Sequence, residues 1–446
     1  KAHRYAGVPY ALPPLGALRF TKPQPLPANF RYGSTGRSDF TSFASVCYQP
    51  TNYSAEPAEG QPQPPVPEQT EDCLYLNIWT PVAKAPPQGW PILFSIHGGW
   101  LQSGSAHQDP NADYSDLLAP REEGGAGFEC IIVSPAYRLN IFGFLASDQL
   151  DTKSGKANFG FWDQRLALEW TVHNARSLGA NADEITVTGI SAGAQSAHAQ
   201  LLYEFCRARV DASYRPHIKR CVFRSGSAML PCKTLDEVAP QMEELCNQLG
   251  ISVHDDLQRV AALRKVPASE LVAVIPDMKM HTFRAVQDGG VAHGGFVDSD
   301  WGERTKDGSF AAWCNAENIS FAFGELSDEA QEYRLVNAPS SHPLKQDLFL
   351  QLHNYYPAAV VEHLMGSYDI PGDAIKDLEV WADVFGLITA DAQIYTAQRL
   401  LENYLRSLPP SRVLRYRIER RAALVDDSHP KEKGVFHGTD GVIFGF

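Results

Sequence analysis

The chain has 446 residues, 44% of them hydrophobic and 20% charged, with a formal net charge of −13. This is a globular composition, long enough to bury a large core. The acidic surface repels nucleic-acid phosphates, and the absence of an 18-residue apolar run argues against an integral membrane segment. The first residues, Lys1-Ala2-His3-Arg4-Tyr5, lack an apolar h-region, so any signal peptide lies upstream of them. None of the eight cysteines forms a C-x-x-C pair, and neither a metal nor a cofactor is expected. Sequons at Asn52 and Asn318 matter only in a secreted protein.

In chain order, Gln49 to Gln69 is rich in Pro, Gln and Glu and reads as a long surface loop before strand-like sequence at Leu74 to Trp79. Pro91 to Ile96 is an apolar run that ends in His97-Gly98-Gly99. Cys130 to Val133 is a second. Helix follows over Phe161 to Asn174, with Trp162, Leu166 and Trp170 on one side. Glu184 to Thr188 predicts a strand that breaks at Gly189, with helix over Ala192 to Leu202. Cys221 to Arg224, Ile319 to Phe323 and Val413 to Ile418 predict further strands. Leu235 to Leu249 and Ala390 to Leu405 predict helices. Strands alternating with helices give an α/β class with a mostly parallel sheet flanked by helices, and ligands at the carboxyl ends of the strands.

Gly189-Ile190-Ser191-Ala192-Gly193 matches G-x-S-x-G. Alone the match is weak; a chain this long shows one by chance about one time in seven. Its context is strong, because a strand precedes it and a helix follows. That order makes a sharp turn that exposes the serine beside a helix N-terminus. Ser191 is therefore the candidate nucleophile. His97-Gly98-Gly99-Trp100 follows an early strand, as do the backbone N–H donors of an oxyanion hole. A serine needs a base, which in this order of elements lies late in the chain. His437 fits, within Gly434-Val435-Phe436-His437-Gly438. His429 reads as solvated surface, and His198 as a helix-face residue. The acid falls in the run from Ile319 to Glu329, just beyond a strand, where Glu325, Asp328 and Glu329 remain open.

These residues resemble the type-B carboxylesterase/lipase family, which includes cholinesterases and fungal esterases and lipases. The likeness runs nearly end to end. It includes Gly7-Val8-Pro9-Tyr10-Ala11, Leu18-Arg19-Phe20, Glu71-Asp72-Cys73-Leu74-Tyr75-Leu76-Asn77-Ile78-Trp79, Tyr137-Arg138, Asp163-Gln164-Arg165 and Ser225-Gly226-Ser227. The resemblance implies an α/β-hydrolase fold, one catalytic domain over residues 1–446 without the family's extremities, and ester hydrolysis through an acyl-enzyme, with no cofactor. The family pattern G-x-x-x-D-E falls on Gly324 to Glu329 and makes Glu329 the triad acid with Ser191 and His437. It places the oxyanion hole on the Gly98, Gly99 and Trp100 run together with Ala192. It also implies a Cys47–Cys73 disulfide, which favours a secreted protein.

Three departures stand out. Trp100 replaces the usual Gly or Ala, Ile190 replaces the usual Glu, and no Trp lies between Cys47 and Cys73, where cholinesterases bind choline. They point to a neutral, apolar small-molecule ester. Phe159, Phe161, Trp162 and Trp100 are candidates either for the pocket or for the core. The same triad serves lipases on longer acyl chains and acyltransferases, and relatives that have lost it act as binding proteins.

Overall fold

The computed structural model describes residues 2–33, 39–50, 68–106, 114–119, 127–150, 155–229, 231–335, 338–339, 343–427 and 431–444. Eight strands form one sheet: β1 (Ala2–Pro9), β2 (Tyr75–Pro81), β3 (Trp90–Ile96), β4 (Ile131–Pro135), β5 (Ala180–Ile190), β6 (Ile218–Arg224), β7 (Ser320–Leu326) and β8 (Val413–Ile418). Their spatial order is β1-β2-β4-β3-β5-β6-β7-β8. The β1–β2 and β2–β4 pairs are antiparallel, and every later pair is parallel. This is the α/β-hydrolase arrangement that the resemblance implies. The central strands carry near-continuous apolar runs, as strands covered on both faces must. Ile92, Phe94, Ile96, Ile131, Val133, Ile185 and Val187 are all buried.

Most predicted strands lie where the sequence puts them, but β5 does not break at Gly189. It runs through Gly189 to Ile190, because Gly189 still pairs with Ile96 on one side and Phe223 on the other. The helix after it, α2 (Ala192–Val210), also outruns its expected end at Leu202. Its second half contains Glu204, a fully buried carboxylate that accepts from Arg165 at 3.0 Å.

Charge pairs of this kind hide the true core face of α1 (Phe159–Asn174). Trp162, Leu166 and Trp170 form only a half-buried flank. Asp163, Gln164, Arg165 and Leu168 are deeply buried. Phe159 and Phe161 lie in the main core, and Trp162 packs edge-on to Phe296, so these three are not pocket walls. Asp163 takes both prongs of Arg138, at 2.8 and 2.7 Å, and also the Arg138 backbone N–H.

The helix expected over Ala390 to Leu405 is compound. A helix over Leu378–Ala390 leads into a five-residue π turn, Asp391–Tyr395, and then a helix over Thr396–Tyr404. Cys47 and Cys73 are joined as the resemblance implies, with an S–S distance of 2.09 Å. The sequence they enclose is clasped by the Val46–Cys47 and Gln69–Thr70 strand pair, while residues 51–67 of the expected loop, and Asn52 with them, lie outside the described residues. Asn318 is exposed, in a turn with φ 61°. No helix among the described residues is long and apolar enough to cross a membrane.

Removing one member of a buried ion pair strands its partner. Asp163→Ala should lower unfolding free energy by about 3–5 kcal/mol, read from urea denaturation midpoints at constant m-value.

Candidate active site

The sequence-predicted triad and oxyanion residues follow the carboxyl ends of strands: 97–100 directly after β3, Ser191 and Ala192 after β5, Glu329 shortly after β7, and His437 in the long segment after β8. Ser191 occupies a turn with φ 57° and ψ −124°, a conformation costly for a residue with a side chain. Crowding holds it there. A β-carbon on Gly189 would overlap the backbone of Gly193, and one on Gly193 would overlap the carbonyl of Ile96. The elbow packs so closely on β3 that both positions require glycine. Ser191 is then tied across the sheet, its N–H donating to the Arg224 carbonyl at 2.8 Å.

The 97–100 turn lies directly against this elbow. A β-carbon on Gly98 would stand 3.2 Å from that of Ser191. Gly99, Trp100 and Leu101 all have positive φ, at 103°, 57° and 65°. The coil is fixed by Gln102 and Ser103, whose N–H groups donate to the Gly99 carbonyl at 2.8 and 2.9 Å, and by Tyr137, whose hydroxyl donates to the His97 carbonyl at 2.9 Å. The backbone N–H groups of Gly99, Trp100 and Ala192 take no part in the backbone–backbone hydrogen bonds of turns and loops among the described residues. The unusual Trp100 has a packing explanation. Its ring is buried edge-on to Tyr333, within a second apolar cluster that includes Leu348, Trp381 and Phe385.

Of the three candidate carboxylates, only Glu329 has a described hydrogen bond to the histidine: its Oε2 is 2.6 Å from His437 Nδ1. The other oxygen, Oε1, accepts from Ser225 Oγ at 2.6 Å and from the Leu326 N–H at 3.0 Å. Glu329 is wholly buried. Asp328 instead holds the histidine loop, accepting the Val435 N–H at 2.8 Å. Glu325, also buried, is taken up by Arg415 and Arg417 at 2.7 and 2.9 Å. The histidine loop comes near the elbow: a β-carbon on Gly438 would stand 4.0 Å from the Ile190 side chain.

Burial alone would lower the His437 pKa. The Glu329 carboxylate, aided by Glu332 and Asp440, outweighs burial and raises it above the ordinary histidine value. His198 is the opposite case. Wholly buried, it is pushed down to about 3 by burial, and its Nδ1 accepts the Ala228 N–H at 3.1 Å. It is a neutral core residue. His429 lies outside the described residues.

Sequence reasoning did not assign Ser225, Tyr395 or Arg284 to the site. Ser225 was visible only as part of a family motif. Tyr395 reaches back from the π turn, its hydroxyl donating to the Leu326 carbonyl at 2.6 Å and accepting the Glu329 N–H at 3.3 Å. Nothing in its sequence surroundings signals this. Beside Ser191 opens a small pocket, lined by Gln195, Ser225, Ser227, Arg284, Tyr356 and Gln393. Its walls are half polar, where the sequence suggests an apolar substrate.

A family model described as the carboxylesterase family matches residues 1–445. An uncharacterized esterase/lipase of Schizosaccharomyces pombe is 37% identical over 451 residues, covering 99% of this chain and 79% of that protein. A carboxylic ester hydrolase of Gibberella moniliformis is 37% identical over 452 residues, covering 98% and 78%. An acetylcholinesterase of Gallus gallus is 34% identical over 307 residues, 66% of this chain and 36% of that enzyme.

His437 should titrate above pH 6.5 in a ¹³C-histidine NMR titration. Glu329→Gln, which removes the main opposing charge and leaves the burial, should bring it below 6.5.

Proposed function

This chain belongs to the carboxylesterase family and is a carboxylic ester hydrolase, and we propose that it works through a serine acyl-enzyme with Ser191, His437 and Glu329 as the triad, all within one catalytic domain. The observation that carries the assignment is the 2.6 Å contact between His437 Nδ1 and Glu329 Oε2, in a loop whose Gly438 stands near Ile190, the neighbour of Ser191.

The chemistry follows from the parts. A serine hydroxyl is a weak nucleophile until a base takes its proton. With Nδ1–H committed to Glu329, the His437 tautomer leaves Nε2 as the base. Ser191 Oγ attacks the ester carbonyl, and the proton passes to His437. The charge that develops on the carbonyl oxygen is met by the N–H groups of Gly99, Trp100 and Ala192, a type of contact worth about 10²–10³ in kcat per donor. His437 then gives its proton to the departing alcohol. Water enters, loses a proton to His437 and attacks the acyl-enzyme, which frees the acid and regenerates Ser191. Glu329 stabilises the imidazolium formed in each half. The low-dielectric surroundings strengthen that stabilisation.

Choline esters are not the expected substrates. Ile190 brings no negative charge beside the nucleophile, and no tryptophan lies between Cys47 and Cys73. The small size of the pocket beside Ser191 favours short acyl groups. We assign the protein to an oxidising compartment, in keeping with its disulfide, and read it as secreted.

Ser191→Ala should lower kcat by about 10⁵–10⁶-fold while the protein stays folded by circular dichroism. Across p-nitrophenyl esters from acetate to palmitate, the optimum should fall at the short end; a long-chain optimum would make the enzyme a lipase. Since neutral imidazole is the base, kcat/KM should rise with pH through an apparent pKa above 6.5.

A further inference from the structure

The pocket beside Ser191 holds a cation that the chemistry of an uncharged ester does not use. Arg284 is one of its walls. Its backbone is rigidly set, because the flanking Phe283 N–H donates to Gln102 Oε1 at 3.1 Å and the Val286 N–H donates to Asn158 Oδ1 at 3.0 Å. The guanidinium donates to Gln195 Oε1 at 2.9 Å and to the Trp100 carbonyl at 3.4 Å, and it lies 5.1 Å from the centre of the Tyr355 ring. All three partners are neutral. Elsewhere in the fold, Arg19, Arg138 and Arg165 each face a carboxylate. Among the described residues, no carboxylate lies within ion-pair distance of Arg284.

The rest of the pocket points the same way. Ser227 Oγ is buried and has no hydrogen-bond partner among the described residues, while Tyr356 Oη, also buried, pairs with the Gln393 side chain and keeps its own proton to donate. Unmet donors on a pocket wall carry a desolvation cost that a ligand oxygen would relieve. Lys233, buried on the short strand paired with Val286–Gln287, lies near enough to Arg284 for their charges to interact; burial pulls its pKa down to about 8, against the pull of Glu237.

We propose that the substrate is an ester bearing a carboxylate a few bonds from the scissile carbonyl, and that Arg284, with Ser227 and Tyr356, receives that carboxylate. The planar two-oxygen edge of a carboxylate fits a guanidinium fork, and the hydroxyls of Ser227 and Tyr356 can donate to the remaining lone pairs. Half-esters of dicarboxylic acids and acyl esters of hydroxy acids both meet this description. The inference rests on Ser191 being the residue acylated.

The test uses three esters that differ at one group, followed in a pH-stat at low ionic strength. Monoethyl succinate replaces the terminal methyl of ethyl butyrate with a carboxylate on the acyl side, and O-butyrylglycolate does so on the alcohol side. At least one acidic ester should exceed ethyl butyrate in kcat/KM by about tenfold, as one charge-assisted contact allows. Arg284→Met should erase that preference, mainly through KM, and Arg284→Lys should restore part of it. Free succinate should also inhibit the unaltered enzyme more strongly than free butyrate, a reading that needs no variant.

Preference for ethyl butyrate over both acidic esters, or an equal loss on all three esters in Arg284→Met, overturns the proposal. Ser191→Ala separates the two levels. If it still hydrolyses all three esters, the triad assignment falls, and the proposal with it. If the three activities vanish in Ser191→Ala but the unaltered enzyme prefers neither acidic ester, only the anion site falls.

Discussion

One buried carboxylate holds the site together. Glu329 sits where three strand ends converge, and its two oxygens are shared among Ser225 after β6, Leu326 at the end of β7 and His437 after β8. A carboxylate without solvent must be satisfied by fixed donors, because leaving it unpaired costs several kcal/mol. Each donor is therefore also a positional constraint on the strand that carries it. The same bonds that make burial tolerable fix the imidazole ring at a set distance and tilt, and they make His437 more basic than burial alone would allow.

The second constraint is steric. The serine elbow has no room for side chains at Gly189 and Gly193, so β3, β5 and the start of α2 meet backbone against backbone. The 97–100 turn, the proposed oxyanion turn, lies against that meeting point and carries a run of left-handed residues. A bulky Trp100 in such a backbone is tolerated because its ring is anchored in a separate apolar cluster, which ties the turn to the helices that cover the site. Rigidity comes from both sides: glycines beneath the serine, an aromatic anchor above it.

Most of the sheet was legible because buried parallel strands are written in apolar runs with turn residues at their ends. The serine and histidine were legible because their loops carry strong backbone signatures. The acid was not legible from local pattern: Glu325, Asp328 and Glu329 share one strand end, and they differ only in what they meet. Glu325 meets arginines from β8, and Asp328 meets the Val435 backbone N–H. The core face of α1 was hidden for a related reason. Asp163 and Arg165 look like surface residues until their partners, far away in sequence, neutralise them. Arg284 was invisible because a lone arginine has no sequence context that distinguishes a pocket wall from solvent.

The π turn at Asp391–Tyr395 adds a consequence for how such an enzyme can diversify. Wide helical turns of this kind recur at functional sites. Here five consecutive residues carry both Gln393, on the pocket wall, and Tyr395, which braces the segment bearing Glu329. Losing one residue would return the helix to ordinary winding and rotate both groups out of place together. On the proposed assignment, substrate choice and turnover are thus geared to one segment. A lineage that altered the pocket through this helix would have to accept a slower catalyst, or find its new selectivity on Arg284 and the opposite wall.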